Sequence, residues 1–261
     1  MKVGISTACF SLKQETETAV KTIKSLGADC MEVCLQTFYE YRPEFAKAVT
    51  PDICGVNAHS VRTFSDNFEG QLFNPSRRIR GDGFYWLDQV MRSAQLLGAK
   101  NYTFRGFTRK APANDDFDDL SAYIRGVTEF CSRYGVNLCL KNDSLGLYNR
   151  PSVFGKLKAR CPELSGVFDI KEARRSGYPY TMYLKDMAGA ISHVHLSDAD
   201  VNGNICLPAN GTLDFNEIIK QLKDVGFDGN IFIDVCPECY GNVEEIRQSL
   251  DYLNGIIYKM N

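Results

Sequence analysis

Eight short apolar runs, each followed by an amphipathic stretch, recur from end to end of this chain, and that alternation is what most restricts its fold. The apolar runs are Val3–Ala8, Cys30–Leu35, Ile53–His59, Asn101–Phe104, Val136–Lys141, Gly166–Ile170, Ile191–Leu196 and Asn230–Val235. Between and after them the 3–4 spacing of apolar residues predicts helices. The first of these carries Ala19, Ile23 and Leu26 and ends at Gly27. The others cover Tyr39–Val49, Gly83–Leu97, Leu120–Tyr134, Pro151–Lys158, a stretch running through Met182, Phe215–Val225 and Val243–Tyr258. Parallel strands need a long crossover, usually a helix, so this pattern predicts a parallel sheet covered by helices. Eight such units close a barrel, and 261 residues lie near the roughly 250 of a typical one. The expectation is therefore α/β: a single-domain (β/α)8 TIM barrel over residues 1–261. A doubly wound open sheet is the alternative, but its first turn usually carries glycines, and Ser6-Thr7-Ala8-Cys9-Phe10 has none.

Composition narrows the partners. A net charge of −2 gives no global attraction to nucleic acid or to an anionic membrane, so neither is expected. No apolar run approaches the roughly 18 residues that span a bilayer. The opening Met1–Thr7 reads as a strand rather than a signal peptide. The ten cysteines are scattered, several inside strands, which suits reduced thiols in a cytoplasmic protein. A homo-oligomer is compatible with everything in the sequence.

Active sites of such barrels sit at the C-terminal strand ends. The polar residues expected there are Glu32, His59, Arg105, Lys141, Asp169, His193, His195 and Asp234. Strand alternation puts Asp234 on the face of Phe232, and Asp169 on that of Val167. Ionisable groups inside a barrel are costly unless paired or coordinated, so their convergence points to a site. Singly, each has a plainer explanation: Asp169 as a helix N-cap, Glu32 as the partner of an interior Arg or Lys, a histidine as a satisfied core residue. Cys9, Cys34 and Cys236-Pro237-Glu238-Cys239 could meet near one rim, although ordinary reduced thiols are the better reading. The long loop Phe64–Arg80, with Phe64, Phe68, Phe73, Arg77, Arg78 and Arg80, is either a cover for the site or an ordinary solvated loop.

The segments Gly-Ala-Asp-Cys-Met-Glu-Val (27–33), Tyr-Thr-Phe-Arg-Gly (102–106), Phe-Asp-Ile (168–170), His-Val-His-Leu-Ser-Asp (193–198) and Leu-Pro-Ala-Asn-Gly-Thr-Leu-Asp-Phe (207–215) resemble the xylose-isomerase-like barrel superfamily. That superfamily includes sugar isomerases, ketose epimerases and, more distantly, endonuclease IV of the AP endonuclease family 2 type. In its epimerase branch a divalent metal is held by Glu, Asp, His and Glu from strands five to eight. The matching positions here are Lys141, Asp169, His195 and Asp234. In the endonuclease branch, further histidines come from strands three and four, where this chain has His59 and Arg105. Protonated Lys and Arg donate hydrogen bonds and cannot ligate a metal, which makes a three-metal endonuclease very unlike this chain.

Two readings follow. The resemblance implies a sugar isomerase or epimerase-like protein of carbohydrate metabolism, passing a substrate proton through an enediol. Lys141 and Asp234 would be catalytic; Arg105, His59, Glu32 and His193 would bind substrate. A degenerate metal site of Asp169, His195 and Asp234 would hold Mn2+, Mg2+ or Zn2+ weakly or not at all, with no organic cofactor. Lys141, with its pKa depressed by burial, could then act as a base. The other reading is a metal-free barrel that binds a small anionic molecule without turning it over. In it, Lys141 and Arg105 replace the metal charge and neutralise Asp169 and Asp234.

Overall fold

The computed structural model describes residues 1–64, 68–107 and 117–260. Its strands are β1 (Lys2–Ser6), β2 (Cys30–Leu35), β3 (Asn57–Thr63), β4 (Asn101–Phe104), β5 (Asn137–Lys141), β6 (Ser165–Asp169), β7 (Ile191–Leu196), β8 (Asp198–Ala199), β9 (Ile205–Cys206) and β10 (Asn230–Ile233). All but β8 and β9 close into one barrel in the order β1-β2-β3-β4-β5-β6-β7-β10. Every neighbouring pair in it is parallel. The two-residue strands β8 and β9 form an antiparallel pair of their own.

The helices are α1 (Thr16–Ser25), α2 (Pro43–Ile53), α3 (Arg77–Leu97), α4 (Asp118–Ser132), α5 (Val153–Arg160), α6 (Ile170–Arg175), α7 (Tyr180–Asp186), α8 (Phe215–Asp224) and α9 (Val243–Met260). Each lays one apolar stripe on the barrel. In α8 the stripe is Phe215, Ile218, Ile219 and Leu222, all buried. Burying one such side chain contributes about 1.5–3 kcal/mol. Helix α3 stops at Gly98, which takes φ 76°; its N–H bonds the Gln95 carbonyl. Only a residue without Cβ enters that conformation freely.

The expected barrel is present; α3 begins six residues earlier than expected, at Arg77, and three further differences have identifiable causes. The third strand runs four residues later than expected, because the apolar series Phe45, Ala46, Val49 and Ile53 belongs to α2 and carries that helix to Ile53. The first strand ends at Ser6, where Thr7–Phe10 forms a 3-10 turn capped by Ser6 Oγ. The helix expected through Met182 is two, α6 and α7, with Gly177 at φ 79° and Pro179 between them. Among the described residues, no helix is long and apolar enough to cross a membrane.

Candidate functional site

Glu32 anchors the barrel interior. It is fully buried at mid-strand in β2 rather than at the strand end. Its Oε2 accepts hydrogen bonds from Ser60 Oγ (3.0 Å) and Thr103 Oγ1 (2.6 Å), and lies 3.3 Å from His193 Nε2. Its Oε1 lies 3.2 Å from Arg62 Nε and 3.1 Å from His195 Nε2. Burial alone would raise the Glu32 pKa; His195 and Arg62 outweigh it and hold the carboxylate well below its usual range. Burial pushes His193 down to about 4, so it is neutral. Thr103 spends its proton on Glu32, so His193 Nε2, 2.8 Å away, must be the donor between them.

Nearer the mouth, Asp169 and Asp234 flank His195. Asp169 ends β6 and uses its two oxygens differently: Oδ1 caps α6 through Glu172 N–H (3.1 Å), and Oδ2 receives Lys141 Nζ (3.0 Å). The N-cap and the site residue are thus one side chain. Asp234 follows β10; its Oδ1 receives Arg62 (2.6 Å) and its Oδ2 receives Lys171 Nζ (3.1 Å). Burial opposes both negative charges, yet Lys141 and Lys171 hold Asp169, and Arg62 and Lys171 hold Asp234, well below the ordinary range. His195 Nδ1 stands 3.8 Å from both Asp169 Oδ2 and Asp234 Oδ2. Both its ring nitrogens are buried and neither makes an aligned hydrogen bond. Burial would lower its pKa; Glu32 and Asp234 outweigh that and raise it.

The pairing corrects the expectation in part. Lys141 does neutralise Asp169. Arg105 does not reach Asp234: it forks onto Asp143, just past β5. Arg62 and Lys171 take Asp234 instead, and neither was foreseen. The reason for Arg62 is a register slip in β3, where Met31 pairs with Ala58 but Glu32 with Ser60. The unpaired residue is His59, so His59 and Ser60 both turn inward and the parity beyond them flips to include Arg62. Lys171 was missed because it lies in the first turn of α6, past the strand end.

His59 stands apart from the mouth. Its ring nitrogens meet Asn101 Nδ2 (3.2 Å) and Asn230 Nδ2 (2.9 Å), on the first residues of β4 and β10. That is the N-terminal end of the barrel, where residues serve stability rather than chemistry. The four thiols do not gather into a site either: Cys9 and Cys34 are buried, Cys236 is exposed, and no metal-ligating group among the described residues includes a cysteine. In the long loop, Phe68 is buried and Phe73 packs on Phe104 and Phe107, while Arg77 and Arg78 are exposed at the start of α3. Residues 65–67 lie outside the described residues.

Glu69, also unforeseen, fixes the chain behind Arg105. It is buried and accepts from Tyr102 Oη (2.6 Å), Arg105 N (3.0 Å) and Gly106 N (2.8 Å). Burial pushes its pKa up to about 8. A carboxyl raised in the folded state stabilises fully below its unfolded value of roughly 4.3, and that contribution is lost as pH rises toward the folded value. In Glu69→Gln the amide oxygen keeps both backbone N–H groups and the amine turns to Tyr102. Between about pH 5 and pH 8 we expect the wild-type melting midpoint to fall relative to that of the variant. Parallel curves would mean that the carboxyl ionises at its ordinary pH.

Among the described residues, two sets of donors lie close enough for a metal: Glu32, His193 and His195, and Asp169, His195 and Asp234. The second set is the expected one, and the bare His195 nitrogens favour it. The oxygens decide against it. Asp169 Oδ2 and Asp234 Oδ2, the atoms facing His195, already hold Lys141 and Lys171. A unit charge about 4 Å from another costs roughly 4 kcal/mol at an effective dielectric of 20, and a divalent ion doubles this. A resident divalent ion does not fit while both ammonium groups sit there.

The model of the xylose isomerase-like TIM barrel family matches residues 20–256. The chain belongs to that family. Solved structures of the same fold include the IolI protein with a binding zinc atom, at 15% identity and TM-score 0.80, covering 99% of each chain. D-psicose 3-epimerase with D-tagatose from Clostridium cellulolyticum H10 matches at 15% identity and TM-score 0.78, over 98% of this chain and 99% of that one. The 3-keto-D-glucoside 4-epimerase YcjR from E. coli matches at 18% identity and TM-score 0.74, over the same shares. At such identities the likeness is one of fold, so the family barrel carries in this chain a mouth that must be judged by its own residues.

Proposed function

We propose that this barrel binds a small anionic, sugar-like molecule at its mouth with no resident metal, lysine and arginine supplying the positive charge. One observation carries the reading: Lys141 and Lys171 occupy the two carboxylate oxygens that a metal would need beside His195. Arg105, 23% exposed, stands further out and faces solvent more than any of them. Hydroxyl and carboxylate groups of a hydroxy acid or a keto-sugar acid suit such a mouth, since Arg and Lys meet anions while the buried carboxylates accept from hydroxyls.

The isomerase reading keeps one observation of its own, the His195 imidazole held between three carboxylates. Enediol chemistry needs a group that takes and returns a proton, and such a group works best with a pKa near the operating pH. Asp234 is held far below that and makes a poor base. His195, shifted upward, is the better proton carrier, so an active form would move the proton through His195 rather than through Lys141 and Asp234.

Calorimetric titration of the chelator-stripped protein tests the first reading. Mn2+ and Zn2+ are expected to give no binding tighter than about 1 mM, whereas gluconate binds measurably and fructose less well. Metal binding near 1 μM, lost in Asp169→Ala, would overturn it and return the site to the metal-dependent class.

A further inference from the structure

Beside Lys171, outside the barrel proper, lies a cavity of about 560 Å³ lined by Lys171, Arg174, Arg175, Asn204, Cys236 and Cys239 among others. Three of these are cations and none of the lining residues is acidic. Their placement is a consequence of sequence spacing: Lys171, Arg174 and Arg175 stand at i, i+3 and i+4 in α6, which puts them on one face. The opposite wall is the hairpin of β8 and β9, through Gly203, Asn204 and Ile205.

The three cations are not equivalent. Lys171 is bound inward to Asp234, and Arg175 is matched by Glu172 at 2.9 Å. Arg174 is half-buried and makes no ion pair or side-chain hydrogen bond among the described residues. A guanidinium that is partly desolvated, flanked by two more cations and left without a counter-ion, attracts an anion with several oxygens.

We propose that this cavity is a phosphate subsite, taking a phosphomonoester group with Arg174 as its principal contact and Lys171 as the link to the mouth. A phosphomonoester fits better than a carboxylate because its charge of −1.5 to −2 and its three acceptor oxygens match several donors at once. The cations on α6 provide those donors; on the far wall the Asn204 amide gives one N–H to Asp200 Oδ2 (2.9 Å) and keeps the other. The idea rests on the reading that the mouth takes an anionic ligand, and it adds where the charged end of that ligand goes. Lys171 then touches both parts: its ammonium holds Asp234 inside, while its side chain, 12% exposed, lines the cavity outside.

The test uses the full chain in phosphate-free buffer of low ionic strength, where screening is weakest. The probes are inorganic phosphate, a hexose 6-phosphate and the parent hexose, followed by calorimetry and phosphorus NMR. Phosphate is expected to bind, and Arg174→Gln is expected to weaken it at least tenfold. Arg133→Gln, a surface arginine stacked on Phe130, should leave it unchanged. Arg174 has no partner to lose, so its variant should keep the wild-type melting midpoint, which separates lost binding from lost folding. Hexose 6-phosphate binding tighter than both phosphate and hexose supports a ligand that spans cavity and mouth. Binding of phosphate alone supports the subsite with free phosphate as its occupant. Absence of phosphate binding, or equal loss in Arg174→Gln and Arg133→Gln, overturns the subsite. If gluconate still binds in that case, the mouth reading stands without it.

Discussion

Arg62→Met is expected to lower the stability of this protein by about 3–5 kcal/mol at neutral pH, a large part of the roughly 5–15 kcal/mol of an ordinary domain. Arg62 bridges two carboxylates two strands apart, on either side of β1: Glu32 Oε1 at 3.2 Å and Asp234 Oδ1 at 2.6 Å. Both acids are buried, and removing the guanidinium leaves them with too few cations in a medium that solvates charge poorly. The Coulomb gain of the native pair need not exceed its desolvation cost for this to hold; the loss comes from stranding one partner. Arg62→Lys should rescue little, because a point charge cannot serve two carboxylates as a planar fork does.

The pH dependence of that deficit is fixed in sign. In the wild type, Glu32 and Asp234 have depressed pKa values, so their contribution is present above the unfolded values of roughly 4 and is lost as pH falls through the folded ones. In Arg62→Met both acids protonate more readily, so the gap between variant and wild type should narrow below about pH 5. Urea unfolding at several pH values measures it. The double variant Arg62→Met/Asp234→Asn should recover part of the loss at neutral pH, since it removes one stranded charge. A constant gap at every pH would show that packing, and not charge, is what Arg62 provides.

The second large effect is Lys141→Glu, which is expected to raise divalent-metal affinity by at least about 100-fold. The substitution removes the ammonium on Asp169 Oδ2 and places a carboxylate at the end of β5, beside Asp169 and His195. The charge near the ion changes by two units, each worth several kcal/mol at about 4 Å before reorganisation is discounted. Without metal the variant should be markedly less stable, because Asp169 loses its partner and gains a like charge. Mn2+ should then raise its melting midpoint while leaving that of the wild type unchanged. Lys171 still holds Asp234 in the single variant, so adding Lys171→Met should tighten binding further. Unchanged Mn2+ affinity in Lys141→Glu would mean that Lys141 is not what keeps the ion out.

The barrel itself was legible in the sequence, because strand and helix periodicities are local properties of the chain. Eight short apolar runs, separated by 3–4 repeats, point to parallel pairing with helical crossovers, and the closed order of eight strands follows. Asp169, His195, Asp234 and Lys141 were legible for the same reason: each stands at or just past a strand end whose boundary the sequence marks well. What the sequence could not supply was the partner of each charge. The apolar pattern places strand three four residues too early, and the slip at His59 inverts which side chains face inward. His59 therefore appeared at the mouth while belonging to the opposite end, and Arg62 was invisible. Arg105 showed its charge but not its direction; only the chain past β5 places Asp143 within its reach. Lys171 and Glu69 reach the mouth or its support from the first turn of α6 and from a short 3-10 turn (Glu69–Phe73), where no periodicity announces an inward side chain. Secondary structure is set by neighbours along the chain, whereas charge pairing in a barrel is set by register across strands distant in sequence, and only the closed sheet fixes that register.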